Sequence, residues 1–353
     1  MIDKKEINLN WINLVSKANR NADKILVEKV IRALLLLEGL AMQNLNFVFK
    51  GGTALMLHFN STQRLSIDID IVLPKKLKSL DEILSKLSDE QGFKRFEFQK
   101  RASQSNIEKA HYKFFYVPYH KTSKDEEYVL LDILYEEITY VELIEIPVES
   151  SFTPLLGASI KVKVPSLEDL LGDKLTAFAP NTTGIPYYKN KDSMSMEIVK
   201  QLYDIGNLFD VSKSLSIIKS TFKSFVAVEL SYRDRIHLSI EDVLEDIFQT
   251  SLSIVSRGFL GTGKFEELQI GIQRLKGFIF SESFQIEKAI ISASKAAYLS
   301  KLILSDAISF EKFEAPLQIK DWTIENPSFS KLNKLKKSNP QAFFYWHKIV
   351  NLI

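Results

Sequence analysis

The feature that most constrains this chain is an acidic strand tied to a glycine turn. Residues 65–73 alternate: Leu65, Ile67, Ile69 and Ile71 face one way, and Ser66, Asp68 and Asp70 the other. Pro74 ends the run. Such a strand lays one face on a core and holds two carboxylates together on the other. Just upstream, residues 47–50 read as a short strand cut by Gly51 and Gly52. Thr53 is placed to cap a helix running through His58 and Phe59, and residues 60–63 read as a polar loop.

Each half has a chemistry. Two carboxylates two residues apart on one strand repel, so the pair demands a cation. Oxygen-only ligands favour a hard ion such as magnesium or manganese. A third acid from an adjacent strand would complete a two-metal site of the kind that clamps a phosphoryl-type transfer. Asp132, alone in the apolar run 131–134, is the candidate. The glycine pair lets a backbone come close to a ligand, and the helix start beyond it offers N–H groups to a phosphate. Taken singly, Asp-x-Asp also describes a solvated strand face or a sugar-nucleotide glycosyltransferase, and Gly-Gly a plain tight turn. A Walker-A loop is absent.

Composition excludes several classes. The formal net charge of +2 offers no global argument for nucleic acid. There is no cysteine, so disulfides and thiolate metal sites are out, and no two of the five histidines stand at zinc-ligand spacing. The first residues have no apolar core and do not read as a signal peptide. The most apolar run, 30–42, is broken by Arg32 and Glu38 and is shorter than the ~20 residues a bilayer needs. A soluble, cytoplasmic protein is expected.

Residues 22–43 read as an amphipathic helix stopped by Asn44, Leu45 and Asn46, with the leucine run 34–37 in the core. A helix at 81–87 and strands at 93–99, 111–118 and 128–135 follow, with a lysine-rich turn at 121–127. A strand at 159–164 ends at Pro165. Ser166, Glu168 and Asp169 mark a helix start, and that helix carries Lys174. Residues 180–192 read as a loop and 194–208 as a helix carrying Asp204. From about 212 helical patterns dominate. The expected fold is α+β, a mixed sheet flanked by helices over residues 1–210 with N-terminal helices, then an all-helical domain over 211–353. Near the end, Lys331, Lys334, Lys336, Lys337 and Lys348 surround Phe343, Phe344, Tyr345 and Trp346. These lysines and rings suit either RNA contact or a terminal helix that docks its aromatics.

The order strand, Gly-Gly-Thr, helix, strand, Asp-x-Asp resembles the polymerase-β-like nucleotidyltransferase superfamily. More narrowly, Lys50-Gly51-Gly52-Thr53-Ala54-Leu55 with Arg64, Ser66, Asp68, Ile69 and Asp70 resembles the AbiEii/AbiGii family of toxin–antitoxin and abortive-infection systems. The segments 169–178, with Lys174, and 200–205, with Asp204, extend the likeness. The resemblance implies a metal-dependent nucleotidyltransferase toxin using NTP and Mg2+ or Mn2+. Asp68, Asp70, Lys174 and Asp204 would be catalytic. Gly51, Gly52, Thr53, Arg64 and Ser66 would bind nucleotide, and Asp68, Asp70 and Asp132 the metals. It further implies an RNA acceptor, with the tRNA 3′ end in view, and a cognate antitoxin. A protein-directed or self-directed transferase and a non-catalytic nucleotide-binding protein are the alternatives. Two departures stand out. Thr53 replaces the serine usual in the superfamily. A longer loop, 180–189, followed by Lys191 and Asp192, replaces a compact arginine–aspartate pair, and makes Lys189 and Lys191 candidate phosphate contacts.

Overall fold

The computed structural model describes residues 1–43, 45–59, 63–100, 108–120 and 124–352. The expected breaks at Asn44, at 60–62 and at 121–123 lie outside the described residues. Two N-terminal helices come first, α1 (Leu9–Ala18) and α2 (Lys24–Met42), each capped by a side chain, Asn8 and Asp23, that accepts a backbone N–H. The leucines 34–37 of α2 are fully buried, as the sequence suggests. Arg32 and Glu38 are buried as well, so these charges do not mark a solvent face. Glu38 accepts the Ile2 N–H at 2.7 Å, and Arg32 lies over the Tyr116 ring beside Glu28. Buried charge is tolerated here because each group finds partners.

The sheet is built from β1 (Val48–Lys50), β2 (Asp68–Leu73), β3 (Arg95–Phe98), β4 (Lys109–Tyr116) and β5 (Glu127–Tyr135), in the order β1-β2-β5-β4-β3. Only β2 and β5 run parallel. Helix α3 (Gly51–His58) joins β1 to the segment before β2, and α4 (Leu80–Gln91) follows β2. Ile69, Ile71, Leu131 and Ile133 bury the apolar face in one core with α2 and α4. Two expectations shift. The strand begins at Asp68 rather than at 65: Leu65 gives its N–H to Phe278 O, next to the isolated bridge of Arg64 to Ile279. Thr53 does not cap α3. It lies inside the helix, whose cap position is Lys50, and its hydroxyl donates to Asp68 O at 2.6 Å. A two-stranded ribbon of β6 (Leu143–Pro147) and β7 (Lys161–Pro165) closes this part; β6 half-buries only Ile144 and Ile146 and gives a weak pattern in the sequence.

Contacts divide the chain into two units. One comprises Met1–Ser166 and Phe278–Ser283, the other Leu167–Gly277 and Phe284–Ile353. The returning segment belongs to the sheet unit: Phe278 O accepts from Leu65 N, and Ser281 Oγ donates to Gln63 O. The second unit starts with α5 (Leu167–Ala177), which packs on both α6 (Ser195–Val211) and α7 (Leu215–Tyr232). The change in sequence character near 212 therefore falls between two helices of one unit. A short ribbon, β8 (Tyr188–Lys189) with β9 (Asp192–Ser193), stands in the loop before α6. Helices α8 (Ile240–Val255), α9 (Phe265–Leu275), α10 (Ile286–Leu304), α11 (Leu335–Ser338) and α12 (Pro340–Val350) complete it.

Helix α12 starts at Pro340 with Asn339 capping the Ala342 N–H. All four of its consecutive aromatics, Phe343 to Trp346, are fully buried, and Trp346 Nε1 donates to Ser294 Oγ at 3.0 Å. They are core, not a stacking surface. Lys336 caps the Lys320 and Trp322 carbonyls, and Lys348 pairs with Glu311. We expect Trp346→Ala to lower stability by roughly 3–5 kcal/mol, the range for emptying a large aromatic site, read as a shift of the chemical-denaturation midpoint.

Candidate active site

The acids are positioned by strand register. In β2, Asp68 and Asp70 project to the face opposite Ile69 and Ile71. The parallel ladder sets Asp70 against Asp132 of β5, so the three carboxylates share one face, on strands about 4.8 Å apart. On the other side of β2, Lys50 stands opposite Asp70, with its ammonium 5.8 Å from the centre of the Tyr140 ring. Across β5, the antiparallel ladder sets His111 of β4 opposite Asp132, and His111 Nδ1 lies 2.7 Å from Asp132 Oδ1. Nothing local to His111 in the sequence singles it out.

The glycine turn is fitted to this row. Gly51 has φ +83°, in the left-handed region, and a Cβ there would overlap the Asp70 carboxylate. A Cβ on Gly52 would come within 2.6 Å of Arg64 Nη2 and 2.7 Å of Ser66 Oγ. Arg64 is buried and donates to Leu65 O. The start of α3, two glycines and a guanidinium–hydroxyl pair thus meet beside Asp70. Of the expected residues in this unit, Gly51, Gly52, Arg64, Ser66, Asp68, Asp70 and Asp132 form one neighbourhood. Thr53 ties α3 to β2 from the buried side.

The donor chemistry suits a hard cation. Among the described residues no group of three or more His, Asp or Glu side chains is gathered tightly enough to hold a metal by itself. The chain offers a carboxylate pair with a third in register, leaving other positions to phosphate oxygens and water, the coordination magnesium favours.

In the helical unit, Lys174 of α5 and Asp204 of α6 meet. Lys174 Nζ lies 3.1 Å from Asp204 Oδ2 and 3.0 Å from Gln201 Oε1, and both charged groups are more than nine-tenths buried. Within the loop 180–192, Asp246 of α8 accepts from Asn181 N, Asn181 Nδ2 and Thr182 Oγ1 at 2.7–2.9 Å, while Arg235 donates to the Asn181 and Thr182 carbonyls. Burial pushes the Asp246 carboxyl up against these donors, which pull it down. Tyr188 and Ser193 both bond to Glu267 of α9, leaving Lys189 and Lys191 exposed.

A family model described as "Nucleotidyl transferase AbiEii toxin, Type IV TA system" matches residues 35–283. The chain belongs to this family of nucleotidyltransferase toxins. The match ends at Ser283, the last residue of the segment that returns to the sheet unit. No curated protein matches. Similar solved structures include a provisionally assigned nucleotidyltransferase from H. pylori, 18% identical over 78% of this chain and 92% of that one, with a TM-score of 0.40. JHP933 from Helicobacter pylori is 15% identical over 78% and 89%, also with a TM-score of 0.40. MenT4, a nucleotidyltransferase toxin of Mycobacterium tuberculosis, is 12% identical over 96% and 98%, with a TM-score of 0.49. No helix among the described residues is long and apolar enough to cross a membrane.

Removing Asp204 would leave the Lys174 ammonium buried with only Gln201. We expect Asp204→Ala to destabilise the protein by about 3–5 kcal/mol, measured by urea unfolding, whereas Asp68→Asn on the half-exposed strand face leaves the midpoint nearly unchanged.

Proposed function

We propose that this chain transfers a nucleotidyl group from an NTP to an RNA hydroxyl, with the tRNA acceptor end as the first acceptor to test. The observation that carries the reading is the row Asp68, Asp70 and Asp132 on one sheet face, with the Gly51–Gly52 turn built directly against Asp70. Asp68 and Asp70 would hold Mg2+ or Mn2+, and Asp132 would be the third acid. Such an ion supplies Lewis acidity: it lowers the pKa of a bound hydroxyl and offsets phosphate charge. The N–H groups at the start of α3, with Ser66 and Arg64 beside Gly52, would take the phosphates.

In the reaction the acceptor oxygen attacks the α-phosphorus. A new P–O bond forms, the bond from the α-phosphorus to the α–β bridging oxygen breaks, the hydroxyl proton passes to water and pyrophosphate leaves with the bond's electron pair. Lys174 would contact the triphosphate and offset charge as it builds, and Asp204 would orient it, a role their ion pair supports. Lys189 and Lys191, exposed on the anchored loop, are further phosphate contacts in this reading. The burial of Phe343 to Trp346 leaves terminal RNA contact to the lysines alone and makes a protein hydroxyl the competing acceptor. Membership of a toxin–antitoxin family supports a cognate antitoxin and a cytoplasmic site of action.

Incubation with each labelled NTP in turn, Mg2+ and cell lysate tests this. We expect label in nuclease-sensitive, protease-resistant material with one preferred NTP; label that survives nuclease and is lost to protease would overturn the RNA acceptor. We expect Asp70→Asn to abolish transfer, and Lys174→Met, which also lowers stability by taking the buried counter-charge from Asp204, to slow transfer by about 10²–10³-fold when assayed on the folded fraction below its melting temperature, in the range for losing one charge-stabilising group.

A further inference from the structure

The aromatics of α12 are core, yet the terminal lysines do meet an exposed ring from elsewhere in the helical unit. A 3₁₀ turn, Ser330–Lys334, sets Lys331 and Lys334 on one side, since residues three apart eclipse in that geometry. Both are exposed, and neither pairs with an acid among the described residues. Between this turn and the end of α8 lies a cavity of about 420 Å3, a size common for ligand sites. Val255, Ile290, Leu332 and Leu335 give it a buried apolar wall. Glu287, an acid on its lining, is already paired with Arg257 at 3.0 Å, so the two lysines leave the rim positive. Phe259 stands at the same rim, 83% exposed. The loop that carries it is tied down. Arg257 and Gly258 both turn through the left-handed region, at φ +57° and +86°. Gly258 N donates to Ser253 O, and Leu260 N to Ser256 Oγ, each at 2.8 Å. Ser253 Oγ donates to Gly263 O, also at 2.8 Å. An apolar ring is thus held in water on a fixed support.

We propose that this cup binds an unstacked base of single-stranded RNA, with the base against Phe259 at the cavity mouth and the flanking phosphates on Lys331 and Lys334. This rests on the RNA reading above, which gives the chain a reason to hold RNA. The chemistry divides between the parts. Aromatic rings serve single strands as stacking platforms because every base has a flat face, and lysines beside them follow the backbone charge. In a duplex both faces of a base are covered by its neighbours, so the ring selects single strands. An acidic peptide would also meet the lysines and is the competing occupant. The rigidly presented ring favours a flat partner, and the apolar cavity behind it takes the edge of a base out of water.

Fluorescence polarisation of a labelled, mixed-sequence single-stranded RNA with the full chain, without NTP or divalent ion, tests the site apart from turnover. Phe259→Ala is expected to weaken binding by about 5–150-fold, the range for losing one stacked base, with the same salt dependence as the wild type. Phe259→Leu, apolar but not flat, is expected to lose nearly as much, and Phe259→Trp to keep wild-type affinity. Lys331→Ala and Lys334→Ala are each expected to lower the slope of log affinity against log salt by about 0.7. All three side chains are exposed, and thermal melts check that each variant is folded. Equal affinity of wild type and Phe259→Ala would overturn the proposal, as would an effect of the same size on duplex RNA, or no binding by the wild type. Displacement of the RNA by polyglutamate as effective as by unlabelled RNA would overturn it in favour of an acidic peptide. In the labelled-NTP assay, label on protein while RNA binding still needs Phe259 would overturn the acceptor reading and leave the cup standing. Label on RNA with binding indifferent to Phe259 would overturn the cup alone.

Discussion

The parallel pairing of β2 with β5 decides where every acid stands. Side chains alternate along a strand, so a slip of one residue between these strands would turn Asp132 into the core and Leu131 or Ile133 out of it. The four apolar residues next to the acids, Ile69, Ile71, Leu131 and Ile133, are almost entirely buried, and at ~25 cal/mol per Å2 of apolar surface their burial is what holds the register. The carboxylates themselves repel and contribute nothing to the pairing. The acid row is thus held together by the other face of the sheet. The glycine turn follows from the same register, since Gly51 can approach Asp70 only while β1 remains paired to β2 at Lys50.

What the sequence made legible is what lies close along the chain. Asp68 and Asp70 are two residues apart on one strand, and the glycine pair sits between a strand and a helix, so local periodicity sufficed. Asp132 could be picked out as one polar residue in an apolar run, but its register with Asp70 required the folded sheet. His111 is an ordinary polar residue on the outward side of an alternating strand; only pairing with β5 distinguishes it. Segment 278–283 is invisible in the sequence for a different reason. Its link to Arg64 is a single bridge between residues more than two hundred apart, with no run long enough to carry a pattern. Phe343 to Trp346 left two uses open in the sequence, and the docked terminal helix is the one the structure has. Four consecutive aromatics cover every side of a helix, so periodicity cannot tell a stacking surface from a helix enclosed all round, and this one is enclosed.

The helical unit is pinned by a buried charged pair. Lys174 and Asp204 are brought together by the packing of α5 on α6, and Gln201, one turn before Asp204 on α6, takes a further ammonium proton. A lysine fixed by two partners has few rotamers left, so its ammonium is held at one place. The loop before α6 is treated similarly: Asp246, Arg235 and Glu267 tie down its backbone and its short ribbon, so the exposed Lys189 and Lys191 stand on an anchored support.

The return of residues 278–283 to the sheet unit has a consequence in time. A ribosome delivers the chain from the N-terminus. The acids and glycines are all present once β5 has emerged, yet Leu65 and Arg64, which lead into β2, cannot make their backbone links to Phe278 and Ile279 until those residues appear. Between residues 70 and 279 roughly 10–40 s elapse at about 5–20 residues per second. During translation the nascent sheet unit therefore waits for its last segment, and it is finished only after most of the helical unit has been made. For a chain of a toxin family, that order leaves the lead-in to the acidic strand waiting for Phe278 and Ile279 while α5 to α9 are being made.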